Sequence, residues 1–62
     1  MGPVAFLRAH RLSRARQLLK DRAVASVTEA ALHSGFTELG RFAAYYHGMF
    51  GELPSRTLAE NA

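Results

Sequence analysis

A helical pattern that stops and restarts within five residues limits what this 62-residue chain can become. In "VTEAALHSGFTELGRF", Val27 to Phe42, helix formers run to His33, Ser34-Gly35-Phe36 interrupts them, and they resume at Glu38. Gly35 stands where a left-handed residue closes a helix, because glycine reaches positive φ without a Cβ clash. Upstream, Ser26-Val27-Thr28-Glu29 has the spacing of a capping box, in which the Ser hydroxyl and the Glu carboxylate each take up a free backbone N–H. One short helix is therefore predicted over 27–34. Thr37 is predicted to cap a second helix. A chain divided in this way cannot form one rod, and the corner between its two short helices needs bracing.

The bracing is legible on both sides. Pro3 to about Arg22 reads as an amphipathic helix whose Val4, Leu7, Leu12, Ala15, Leu18 and Leu19 recur at helical spacing. Arg11 falls inside that stripe, so its guanidinium must snorkel or pair, with Glu29 and Glu38 as the nearest carboxylates. Asp21 to Ala25 reads as a loop. Val27, Ala30 and Ala31 supply the inner face of the next helix, and Phe36 is placed to plug the corner. From Glu38 to about Phe50, Leu39, Phe42, Ala43, Tyr46 and Phe50 share one face, with Met49 as core filler. Gly51 offers a stop, Pro54 opens a short helix over 54–59, and the tail "AENA" is expected to fray. The predicted class is all-α, a small helical domain.

Sixty-two residues bound the chain to one domain with a modest core. There is no cysteine, which fits a reducing compartment. The apolar runs are too short for a membrane span, and the start "MGPVAFLRAHR" lacks the apolar stretch of a secretory signal. A cytoplasmic protein is the expectation. The formal charge of +3 is unevenly placed. Arg8, Arg11, Arg14, Arg16, Lys20 and Arg22 against Asp21 leave residues 1–24 at +5, and Arg41 and Arg56 against Glu29, Glu38, Glu52 and Glu60 leave the remainder at −2. A basic face of this kind attracts phosphate backbones, though it also suits a plain solvated helix surface. His10, His33 and His47 have no metal-ligand spacing, and no serine has a base and orienter in prospect. Neither catalysis, metal nor cofactor is expected.

A short helix, a glycine-bearing corner and a second helix form a helix-turn-helix, in which the first element steadies the second for entry into the major groove of DNA. The wider pattern is more specific. Pro3, "FL" at 6–7, "RL" at 11–12, Ala15 and "LL" at 18–19 are followed by Val27, Ala31, "GF" at 35–36, Phe42, Tyr46, "FG" at 50–51 and Pro54. This resembles the C-terminal half of the DNA-binding domain of AraC/XylS-family transcription regulators, and "LGRFAAYY…FGELPSRTL" resembles the XylS-like branch. The resemblance covers nearly the whole chain. It implies a partial DNA-binding domain over 3–62, with a linker helix at 3–22, a second helix-turn-helix at 26–50 and a terminal helix at 54–59. Residues 38–50 would be the recognition helix. It also implies partners beyond these residues: a first helix-turn-helix upstream and an inducer-sensing domain of a full-length bacterial, nucleoid-associated regulator.

With Leu39, Phe42, Tyr46 and Phe50 facing inward, the opposite side of the third helix carries Gly40, Arg41, Ala44, Tyr45 and Gly48. Arg41, near the helix start, is the first candidate for a base or phosphate contact, because its fork of donors suits guanine O6 and N7. The alternative is a surface arginine paired with Glu38 or Asp21. Tyr45 can reach a phosphate or a sugar, or be partly buried. Thr37 and the free N–H groups at the helix start suit a phosphate. Where the family often has a basic and a polar side chain, Ala44 and Gly40 stand here. Gly40, Ala44 and Gly48 thus form a smooth stripe that could meet double-stranded DNA or, as the alternative function, pack against another helix in a self-association or protein-interaction module.

Overall fold

The computed structural model describes residues 3–60, which form four helices: α1 (Pro3–Lys20), α2 (Val27–His33), α3 (Leu39–Phe50) and α4 (Pro54–Glu60). No strand occurs among the described residues. The expected fraying of the tail at Asn61 and Ala62 lies outside them.

Each boundary has a local cause. Helix α1 stops at Lys20, two residues short of Arg22, because Arg22 turns left-handed at φ 55°. Its N–H donates to the Leu19 carbonyl (3.3 Å), and the Ala23 N–H donates to Leu18 (3.0 Å). These bonds satisfy carbonyls that a helix end leaves without partners. Helix α2 starts as the capping box requires, with the Glu29 N–H donating to the Ser26 hydroxyl at 3.2 Å. The return arm differs: the Glu29 carboxylate takes the Ala25 N–H at 2.6 Å. At the far end Gly35 has φ 92°, and the Phe36 N–H donates to Ala31 (2.9 Å). The same bonding pattern thus closes α1 on an arginine and α2 on a glycine.

Helix α3 begins one residue later than Thr37 capping would give. Glu38 occupies the cap position with extended backbone and makes no side-chain cap bond. Gly51, at φ 76°, ends α3 by donating to the His47 carbonyl at 2.9 Å. Helix α4 opens on Pro54 and continues to Glu60, where an Arg56–Glu60 pair at 3.0 Å spans its last turn.

The core sits where α1 crosses the other three helices. Leu12, Ala15 and Leu19 of α1 meet Val24, Ala30, Ala31, Phe42 and Tyr46. Ala30 and Ala31 are fully buried, so α2 lies close to its neighbours. An aromatic ladder runs along the inner face of α3. Phe36 and Phe42 have centroids 5.0 Å apart, Phe42 and Tyr46 5.8 Å, and Tyr46 and Phe50 4.7 Å. Such tilted and edge-on pairs add to the burial that each ring contributes, about 1.5–3 kcal/mol for a fully buried Phe.

Four core assignments, Val4, Leu7, Leu39 and Met49, and the pairing expected of Arg11 need correction. Val4 (75% exposed), Phe6 and Leu7 are exposed, because this part of α1 turns Ala5, Arg8 and Ala9 toward α3 instead. Leu39 and Met49 are also exposed, at the entry and the edge of α3. Arg11 makes no ion pair among the described residues. Its two expected partners are engaged elsewhere, Glu29 in the α2 cap and Glu38 with Arg41. Instead the Arg11 side chain lies along Gly35, with Nε 3.3 Å from where a Cβ would be.

Candidate nucleic-acid interface

The ladder fixes which side of α3 faces out. Phe42 and Tyr46 are fully buried and Phe50 is partly so, which leaves Gly40, Arg41, Ala44 and Gly48 on the exposed side, as the 100° period requires. Around Gly40 and Gly48 nothing approaches within 4 Å of an added Cβ. The smooth stripe is therefore open, with no helix of this chain laid on it. Its far end borders a groove shared with Ala5 and Ala9 of α1.

A buried polar group holds the far end of the rod. The Tyr46 hydroxyl and Thr57 Oγ1 are 2.7 Å apart, and the Thr57 hydroxyl also donates to the Glu52 carboxylate. Arg16 of α1 lies over the Phe50 ring at 5.0 Å. Burial pushes the Tyr46 phenol above its ordinary value of 10.0, with the Thr57 hydrogen bond and the Arg16 charge opposing that rise. Helices α1 and α4 thus both grip the C-terminal half of α3.

At the other end the charged groups are arranged less simply. Arg41 Nε pairs with Glu38 at 2.9 Å, the surface pairing that the sequence offered as the alternative for this arginine. The side chains are 72% and 64% exposed, so the bond competes with water and contributes about 0.3–0.5 kcal/mol. Thr37 is exposed beside it. The first helical bond of α3 runs from the Phe42 N–H to Glu38, which leaves the N–H groups of Leu39, Gly40 and Arg41 pointing out of the helix start. Tyr45 is half-buried, and Arg8 of α1 covers its ring at 4.2 Å. Arg8 was not among the residues expected at this face. Periodicity assigns it to α1 but cannot show that α1 passes alongside α3.

Gly40, Arg41, Ala44 and Gly48 therefore lie together on the outward side of the rod, with Tyr45 half-buried at its flank and Thr37 exposed just ahead of the helix start. Among the described residues no group of His, Asp and Glu is arranged to hold a metal ion. None of the helices is long and apolar enough to cross a membrane.

Comparison with known proteins agrees with this geometry. Residues 1–60 match the family described as a helix-turn-helix domain. The chain is 47% identical over 60 residues to a XylDLEGF operon transcriptional activator of Pseudomonas putida, a match covering 94% of this chain and 19% of that protein. It is 44% identical over 59 residues to XylDLEGF operon transcriptional activator 2 of the same species, covering 92% of this chain and 38% of the relative. The chain thus spans well under half the length of these relatives. No solved structure matches it. An exposed rod braced behind a glycine corner, and a match over nearly every residue, place the chain in the AraC/XylS-type helix-turn-helix family.

Proposed function

We propose that the chain binds DNA sequence-specifically as a segment of a bacterial transcription regulator, with α3 entering the major groove. The observation that carries this reading is the outward side of α3: exposed, lined by small residues around one arginine, and backed by a fully buried aromatic face. The 12-residue helix is about 18 Å long, and its diameter of roughly 10–12 Å fits a major groove about 12 Å wide. Arg41 is the base-reading side chain and gives up the weak Glu38 pair to reach a guanine edge. Ala44 meets a thymine methyl, while Gly40 and Gly48 let the rod approach closely. Thr37 and the free N–H groups at the start of α3 take a phosphate, and Tyr45 lies toward the sugar–phosphate edge. The relatives' roles as operon activators favour this reading over self-association through the same stripe.

In the same reading α1 is the linker helix, residues 26–50 are a second helix-turn-helix and α4 is a terminal strut. A further helix-turn-helix would precede them, and a sensor domain would complete a cytoplasmic, nucleoid-associated regulator. The exposed Val4, Phe6 and Leu7 suit the flank of such an upstream unit.

One unit with few cationic contacts gathers little counterion-release energy, so affinity no tighter than about micromolar is expected, falling as salt rises. A fluorescence-anisotropy titration tests this with a duplex selected from a random library and a scrambled control. Arg41→Ala is expected to cost about 1–3 kcal/mol on the selected duplex and to narrow its advantage over the control. Binding that is indifferent to salt, or untouched by Arg41→Ala, refutes the reading.

A further inference from the structure

We infer that Arg8 and Arg11 of α1 form a phosphate clamp beside α3, fixing the DNA backbone next to the base-reading rod. This rests on the DNA-binding reading and adds residues from outside the helix-turn-helix. The two arginines face one notch that also touches Phe36 and Tyr45, the corner and flank of the second unit. Neither makes an ion pair among the described residues, whereas Arg41 is paired with Glu38 and Arg56 with Glu60. Their charge is therefore unneutralised where it faces out.

Both side chains are also held in place. Arg8 stacks on the Tyr45 ring at 4.2 Å. Tyr45 follows Arg41 by four residues, so Arg8 sits one helical turn from the base-reading candidate. Arg11 lies along Gly35, which has no Cβ to exclude it. A planar guanidinium fixed through its stem loses less freedom on meeting a phosphate than a free surface lysine does, and its remaining donors fit two phosphate oxygens. The sequence makes Arg11 a misplaced core charge and Arg8 one of six cations in a helix. The structure turns both toward α3.

The test uses the whole chain, the selected and scrambled duplexes, and salt titrations from low to moderate ionic strength. Each phosphate contact contributes about 0.9 to the slope of log affinity against log salt. Arg8→Gln and Arg11→Gln should each reduce that slope by about 0.9 and weaken both duplexes alike. Arg8→Lys should restore most of the slope. Lys20→Gln is the control, since Lys20 is exposed and twelve residues, about 18 Å, further along α1. Circular dichroism melts establish that each variant is folded. If wild type binds no duplex, the DNA reading itself fails. If wild type binds and Arg41→Ala impairs it while the Arg8 and Arg11 slopes stay at the wild-type value, the clamp alone is overturned. An equal slope loss in Lys20→Gln overturns it too, because the charge would then act as a diffuse field.

Discussion

Gly35 is asked for two things at once, a left-handed backbone at φ 92° and room for Arg11. An alanine there would cost about 1–2 kcal/mol in backbone strain, and its Cβ would meet Arg11 Nε at 3.3 Å, so the side chain must also shift. Gly40 and Gly48 differ on both counts. They are helical, and nothing lies within 4 Å of an added Cβ. Alanine at either should gain about 0.5–1 kcal/mol, because glycine loses more freedom on entering a helix. Thermal melts of the three single Ala variants should therefore split in sign. In a domain this small each 1 kcal/mol moves Tm by roughly 4–8 °C. A stabilising Gly35→Ala would contradict the corner geometry. Much at this scale could be read in advance: Gly35, Gly51 and the Ser26–Glu29 box each announce themselves by residue type. The left-handed Arg22 and the Glu38 cap could not be, because arginine and glutamate carry no preference for those roles and tertiary packing imposes them.

At the scale of elements, α3 is held by its aromatic face in front and by the Tyr46–Thr57–Glu52 group behind. Periodicity placed Phe42 and Tyr46 inside, but it could not announce that a threonine eleven residues on would meet the Tyr46 hydroxyl. That contact depends on α4 folding back, which no local pattern encodes. The outward residues of α3 follow from the inward ones, so Gly40, Arg41, Ala44 and Gly48 were legible from one face of a helix. Arg8 was not, since its position depends on how two helices pass each other. The buried phenol gives this element a pH signature. Its pKa is raised in the folded state, so the folded chain holds the proton more tightly than the unfolded one does. The associated stability is fully present below pH 10, the ordinary value, and is lost as pH climbs through the raised value. Urea denaturation at pH 8 and above pH 10 should show that decline in wild type and a flatter alkaline limb in Tyr46→Phe. At pH 8 the same substitution should cost about 0.5–1.5 kcal/mol for the lost hydrogen bond, with Thr57 still bonded to Glu52. An unchanged alkaline limb would show that the phenol is not buried as described.

Across the whole molecule, the governing mismatch is between one long helix and a small body. Eighteen residues of α1 extend about 27 Å, while the shorter dimensions of the molecule are 21 and 19 Å. The apolar stripe of α1 is continuous in sequence, yet only its later part, Leu12, Ala15 and Leu19 with Leu18 packed against them, joins the core. Periodicity reports which face of a helix is apolar, not how far the neighbours reach along it. Nor does it show that Ala5, Arg8 and Ala9 turn toward α3 at the start of α1 and leave Val4 and Leu7 exposed. The same mismatch yields an asymmetric response to mutation. Val4→Gln combined with Phe6→Gln removes two large apolar groups that are 75% and 68% exposed, so stability should change by no more than about 0.5 kcal/mol. Leu12→Ala, five residues beyond Leu7 and 3% exposed, should cost about 2–5 kcal/mol and leave little cooperative melt in so small a core. Calorimetry or circular dichroism on these variants reads the difference directly. A large loss in the Val4/Phe6 variant would mean that these two side chains are packed in solution. The face there could then not accept the upstream helix-turn-helix proposed for the full-length regulator.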